Sequence, residues 1–323
     1  MKVAVLGAGA IGGFLGARLA RAHVDVVLIA RGPHLAAMRE SGLRVIESGG
    51  EWTVPVKATD DFAAMREADA VLVTLKAHSL PPVAERVAAN LGAKTAVVSA
   101  QNGIPWWYFQ HHGGELEGIH LQTVDPGGVV ARAIDPYRVI GCIVYPATSL
   151  VSPGVVRHVE GDRFSLGELD GSQSARCTEL SALLVGAGLK APVQPRIRSE
   201  LWLKLLGNAV FNPLSALTRA TLGEIAQSPL VAAIVRGAME EVGQVARRVG
   251  VEITISIDQR IKGAARVGDH KTSMLQDLES GRPMEIDALT GSVVELGDRL
   301  GIPVPHLRTL YASVKLLGAT SIR

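Results

Sequence analysis

The sequence predicts an α/β chain: a doubly wound, mostly parallel sheet at the N-terminal end, followed by an all-α C-terminal domain. Three observations predict it. Short apolar runs alternate with helical patterns up to about residue 187. Two prolines within four residues of "APVQPRIRSE", 191–200, mark a connection. Beyond them the pattern is almost wholly helical. At 323 residues the chain exceeds the size at which one core usually stops growing, so two domains are expected, 1–195 and 196–323.

The first element is "VAVLGAGAIGGFLGARLA", residues 3–20. A basic Lys2, an apolar run and the small-residue triplet Ala20-Arg21-Ala22 would suit an export signal. Five glycines, at 7, 9, 12, 13 and 16, lower the helix propensity such a signal uses. The same glycines spell G-x-G-x-x-G over Gly7-Ala8-Gly9-Ala10-Ile11-Gly12, after a β-type run and before a helical one. In that setting the motif is a dinucleotide-binding turn of Rossmann type. The three glycines serve, in order, the tight turn, the close approach of backbone to pyrophosphate, and the packing of helix on strand. The helix start then offers unpaired N–H groups to phosphate.

A second buried-strand run, "DVVLIAR", residues 25–31, completes the βαβ spacing. At its end, where a carboxylate would hold a ribose 2′-hydroxyl, stands Arg31. A guanidinium matches a 2′-phosphate, so NADP is the expected cofactor. "GLRVIES" and "EWTVPVKAT" read as a hairpin, Ala70–Leu75 as a buried parallel strand, and 94–103 as a strand ending in a polar turn. β-rich pieces and a helix over about 174–187 follow. Lys76 and Gln101-Asn102-Gly103 fall just past strand ends, where ligands of such sheets bind.

In the second part, helices are expected over 201–212, about 221–250, 255–267, 271–280 and 285–300. Lys204, Asn208 and Asn212 recur every fourth residue and so share one helix face, among apolar neighbours. Such a stripe either faces water or meets partners, because burying it unpaired is costly. "HKTSMLQDLESGRPMEID", 270–287, is polar, and a solvated helix and turn would explain most of it.

Composition excludes several classes. Net charge is only +2, with no block of like charges to suggest nucleic acid or an anionic membrane. No uninterrupted apolar run reaches the ~18 residues of a membrane span. Two cysteines, Cys142 and Cys177, give neither a disulfide framework nor metal spacing, so the cytoplasm is expected and no metal is indicated. A homodimer is compatible with the helical part, although no heptad repeat announces one.

Together, G-A-G-A-I-G with Arg31, Lys76, Gln101-Asn102-Gly103, the K-x-x-x-N-x-x-x-N-P run at 204–213 and "SMLQD…GRPMEID" resemble the ketopantoate reductase family, or 2-dehydropantoate 2-reductases. The resemblance runs nearly end to end. It implies NADPH-dependent reduction of ketopantoate to (R)-pantoate, on the route to pantothenate and coenzyme A, between a Rossmann-type and a helical domain. Lys204 then matches the general acid toward the ketone oxygen. Glu285 matches the glutamate beside the reacting centre, with the cofactor also in reach. Asn208, Asn212 and Ser273 match residues that hold the substrate's carboxylate and hydroxyl. The turn Gly7-Ala8-Gly9-Ala10-Ile11-Gly12, Arg31, Lys76 and Asn102 match cofactor contacts, Asn102 also lying near the substrate.

Two departures keep a different branched or bulky 2-oxo acid open as substrate. His270 stands where well-studied members have asparagine, and Trp106-Trp107-Tyr108-Phe109 is an unusual aromatic run. That run could be a pocket wall, a subunit contact or a loop packed on its own domain. A non-catalytic dinucleotide sensor is the remaining alternative.

Overall fold

The computed structural model describes residues 1–321. Among these, eleven strands form in chain order: β1 Val3–Leu6, β2 Val26–Ile29, β3 Leu43–Glu47, β4 Gly50–Val54, β5 Lys57–Thr59, β6 Ala70–Val73, β7 Ala96–Ser99, β8 Val139–Val144, β9 Ala147–Ser152, β10 Val155–Glu160 and β11 Phe164–Glu168. The main sheet has the order β11-β8-β7-β6-β1-β2-β5. All its pairings are parallel except that of β11 with β8. β1, β6, β7 and β8 are buried at every residue, the reason they read as unbroken apolar runs rather than alternating ones. The expected hairpin forms as β3 and β4, with Leu43 opposite Val54. It belongs to a second sheet, β4-β3-β10-β9, which the sequence pattern does not separate from the first.

The chain order reverses at β1. β2 and β5 lie on one side of it and β6, β7 and β8 on the other, so the ends of β1 and β6 make the topological switch point. The helix Ala10–Arg21 starts there, which settles residues 3–20 as a strand, turn and helix. Phe14, Leu15 and Leu19 of that helix join Leu28, Leu72, Phe164 and Leu166 in one apolar core. The helix expected over about 174–187 forms as Ala175–Gly186, where the Ser174 side chain caps it by accepting from Cys177 N–H.

Two compact units result. The first contains Met1–Gln101, Phe109–Gly118 and Val129–Ile197; the second contains Asn102–Tyr108, Ile119–Gly128 and Arg198–Arg323. Hydrogen bonds explain why two short pieces of the first half travel with the second unit. Glu295 accepts from Gln122 N at 2.8 Å, Thr123 N at 2.9 Å and Thr123 Oγ1 at 2.7 Å. Tyr108 OH accepts from Trp202 Nε1 at 2.6 Å, and the Tyr108 carbonyl accepts from Arg198 Nε at 2.8 Å.

The second unit is helical, and several of its helices differ in extent from the expected ones. The helix expected to end at residue 212 runs on through Pro213, as Ile197–Thr218. The long helix expected over 221–250 is two, Leu222–Gln227 and Ala232–Arg248, because Ser228 precedes Pro229 and adopts an extended conformation. Helices Ile257–Val267 and Ser273–Glu279 follow. Residues 286–300 begin with a π-helical turn, Asp287–Gly291, before Ser292–Leu300. A further helix, Pro305–Ser321, starts on the buried carboxylate of Glu241, which accepts from the N–H groups of His306 and Leu307 at 2.9 Å each. Among the described residues no helix is long and apolar enough to cross a membrane.

Candidate functional site

In the first unit the candidate site is made of backbone. β1 ends at Leu6, and the chain turns at Gly7 with φ +96°, a region side-chain-bearing residues avoid. Gly7 N and Ala8 N both donate to Ile29 O at 3.0 Å, and Thr74 Oγ1 donates to Gly7 O at 2.8 Å. The turn is therefore tied to both neighbouring strands. A Cβ at Gly12 would lie 2.3 Å from Thr74 Oγ1 and 2.5 Å from Gly7 O, so only glycine fits. A Cβ at Gly9 would meet nothing nearer than Gly7 O at 3.9 Å. The space over Gly9 is open.

The helix begins at Ala10, with Ile11 and Gly12 next; its N-cap is Gly9, without a side-chain cap, and its first turn holds no acidic residue. Gly13 N makes the first intrahelical bond, to Gly9 O at 2.8 Å. The N–H groups of Ala10, Ile11 and Gly12 precede it, as the orphan donors of a helix start do. An open glycine, three such donors and no competing carboxylate fit a pyrophosphate. Arg31 is exposed beyond β2 as the N-cap of the helix Gly32–Ser41, and its guanidinium has no partner among the described residues. Lys76 is half-buried just past β6. Gln101, buried past β7, donates from Nε2 to Leu75 O at 3.2 Å and so joins the ends of β6 and β7.

In the second unit the candidate site is made of side chains. Lys204 Nζ donates to Asn102 Oδ1 at 2.6 Å, and Asn102 Nδ2 stands 3.5 Å from Glu285 Oε2. The Asn102 amide thereby links the lysine to the glutamate. All three residues are half-buried. Asn208 and Asn212 continue the stripe from Lys204; Asn212 Nδ2 lies 3.5 Å from Ser273 Oγ at the start of the helix Ser273–Glu279. Asn208 is half-buried with no side-chain hydrogen bond among the described residues. Thus an ammonium, a carboxylate, three amides and a hydroxyl sit on one helix and the segments packed against it. An ammonium so held can stabilise charge on a carbonyl oxygen and donate a proton to it.

Further close contacts complete the arrangement. Gly103, at φ +81°, lies so close to the π-helical turn that a Cβ would stand 2.1 Å from Ala288 O. Ile104 N donates to that same carbonyl at 3.0 Å. Thr74, Ala288 and Thr290 act here without a motif that announces them; the proline inside the helix, Pro213, is the one sequence signal. The aromatic run is buried: Trp106, Trp107, Tyr108 and Phe109 are each at most 5% exposed, so none offers a subunit contact. Burial pushes the Tyr108 phenol far up. His270 is half-buried, and its carbonyl accepts from Leu222 N at 2.9 Å. A cavity lined by Met1, Asp69, Ala70 and Ala96 opens at the ends of β6 and β7 opposite to Lys76 and Gln101.

The chain matches two family models: ketopantoate reductase PanE/ApbA over residues 3–171, and the ketopantoate reductase PanE/ApbA C-terminal model over residues 196–318. It is 51% identical over 318 residues to a 2-dehydropantoate 2-reductase of Mesorhizobium japonicum, with 98% of each chain covered. A crystal structure from Ralstonia solanacearum MolK2 shares its fold at TM-score 0.93 and 43% identity, covering 99% of this chain and 98% of that one. The PanE/ApbA family ketopantoate reductase of Ralstonia eutropha JMP134 does so at TM-score 0.86 and 32% identity, with all of both chains covered.

Proposed function

The chain belongs to the ketopantoate reductase family of dinucleotide-dependent reductases, and from that premise we propose that it reduces 2-dehydropantoate to (R)-pantoate with NADPH. The observation that carries the reading is the 2.6 Å contact of Lys204 Nζ with Asn102 Oδ1, beside Glu285. When bound, the reduced nicotinamide supplies the hydride. Negative charge then develops on the ketone oxygen, and the Lys204 ammonium stabilises it and delivers the proton. Asn102 fixes the ammonium's position by accepting one of its N–H bonds. Glu285 completes the charge balance of the site. Asn208, Asn212 and Ser273 supply amide and hydroxyl donors for the substrate carboxylate and hydroxyl.

On the first unit, the N–H groups at Ala10, Ile11 and Gly12 and the open backbone at Gly9 would hold the pyrophosphate, with Ala8 and Gly7 shaping the turn. Arg31 would take the 2′-phosphate, and Lys76 would hold the cofactor beyond the end of β6. Unpartnered and exposed among the described residues, the Arg31 guanidinium is available for that pairing. Cytoplasmic location belongs to the same reading: Cys142 and Cys177 are both buried and not joined in a disulfide, and burial pushes Cys177 up to about 11, away from oxidation. His270 supports a second reading, a different branched or bulky 2-oxo acid, because its half-buried ring three residues before Ser273 has no side-chain partner among the described residues.

Steady-state oxidation of NADPH and of NADH against ketopantoate and a panel of 2-oxo acids tests both. Ketopantoate with NADPH should be the most efficient pair. Higher kcat/KM on another acid would transfer the reading to that acid. In Arg31→Ala the KM for NADPH should rise roughly tenfold to a hundredfold while that for NADH hardly moves. An equal loss with both cofactors would refute the role of Arg31.

A further inference from the structure

A proline inside a helix lacks the N–H that would bond the carbonyl four residues earlier. In the helix Ile197–Thr218 that proline is Pro213 and the carbonyl is that of Ala209. Thr290 Oγ1 donates to Ala209 O at 3.0 Å, and Thr290 is fully buried. The hydroxyl of one element thus replaces the backbone donor missing from another. Ala209 follows Asn208 directly, so the bond is made in the stretch of helix that presents the polar stripe.

Thr290 lies in the π-helical turn Asp287–Gly291. A π turn shifts the carbonyl pattern of a helix by one residue and often marks a functional position. Here the Ala288 carbonyl accepts from Ser292 Oγ at 2.7 Å and from Ile104 N at 3.0 Å, the second bond seating the segment that begins with Asn102. Glu285 stands two residues before the turn and accepts at its own carbonyl from Leu289 N at 3.1 Å. One π turn therefore holds three segments in register: the helix of Lys204, the loop of Asn102 and the stretch of chain ending in Glu285.

We infer that Thr290 is a positioning residue for the reduction: its hydroxyl, standing in for the N–H that Pro213 lacks, sets the register of the Lys204 helix against the turn that seats Asn102 and Glu285. The inference rests on the reading that these three residues carry the chemistry. Thr290→Val keeps the volume and removes the donor. Its kcat should fall about tenfold to a hundredfold, as expected for a misplaced reacting group, with the KM for NADPH unchanged. Thr290→Ser, which keeps the hydroxyl, should retain most of the wild-type rate. Adding Pro213→Ala to Thr290→Val should recover it too, because residue 213 then regains an N–H for Ala209 O.

A Thr290→Val enzyme with wild-type kcat overturns the inference. So does a loss that is as deep in Thr290→Ser and that Pro213→Ala fails to repair. Amide hydrogen exchange of residues 204–212 gives a readout that needs no substrate. Faster exchange in Thr290→Val, reversed by Pro213→Ala, supports the register role; unchanged exchange overturns it. Should the wild-type enzyme turn over no 2-oxo acid, the functional reading fails while this measurement still decides what the hydroxyl does.

Discussion

At the turn over residues 7–12 the groups on offer are backbone N–H groups, whereas around Lys204 they are an ammonium, amides and a carboxylate brought from segments as far apart as residues 102 and 285. The first arrangement is local. Its demands fall on absence: no side chain at Gly12, where 2.3 Å separates an added Cβ from Thr74 Oγ1, and none at Gly7, whose φ is +96°. The second is assembled. Its demands fall on presence, and on the packing of helix Ile197–Thr218 against a π turn that no local pattern required. A site made of backbone fails when something is added; a site made of side chains fails when something is removed.

The largest effect is expected at Lys204. Lys204→Ala should lower kcat by roughly 10²–10⁴, the range of a lost general acid, and leave NADPH affinity by fluorescence titration near the wild-type value. A parallel loss of cofactor affinity would mean that the backbone site and the side-chain site are not separable. The opposite test is Gly12→Ala, which puts a methyl group where Gly7 O and Thr74 Oγ1 leave no room. It should cost about 1–3 kcal/mol of stability, read from denaturant unfolding, together with loss of NADPH binding. Retained binding with unchanged stability would show that the turn relaxes freely.

A smaller effect reaches the backbone site through pH. His34 Nδ1 accepts from Gly154 N at 2.9 Å, and burial holds the imidazole below its ordinary pKa, against the opposing pull of the Ala8 carbonyl in the turn. A lowered folded-state pKa means that the fold favours the neutral ring. The stability it contributes is present above the unfolded-state value and is lost as pH falls through the folded one. Tm should thus drop more between about pH 7.5 and 5.5 in the wild type than in His34→Asn, which keeps an acceptor for Gly154 and does not titrate. Identical slopes would remove His34 from the account of the turn.

The same contrast explains what is legible in the sequence. The glycine turn is legible because steric exclusion acts on adjacent residues and leaves a spacing behind. The polar stripe of Lys204, Asn208 and Asn212 is legible as a helix face, but not as a site. A solvated face has the same spacing, and only the packing of Asn102, Ser273 and Glu285 against that face distinguishes the two. Prolines mislead about helix ends in both directions. Pro213 suggests a stop, yet the helix continues, because Thr290, with a sequence separation of 81 from Ala209, supplies the missing donor. Pro229 sits in an otherwise helical pattern, yet the helix stops, because its predecessor Ser228 is extended. The aromatic run at 106–109 admits three explanations, and burial removes one of them, the subunit contact.

Local sequence is enough for the first βαβ unit, the glycine turn and the family, because each depends on short-range sterics or on an ordered set of motifs. Long-range packing was needed for the second sheet, the attachment of residues 102–108 and 119–128 to the helical unit, and the π turn that registers the Lys204 helix. Those features rest on hydrogen bonds between residues far apart in the chain, such as Thr290 to Ala209 and Thr123 to Glu295. A bond of that kind leaves no spacing for local sequence to show.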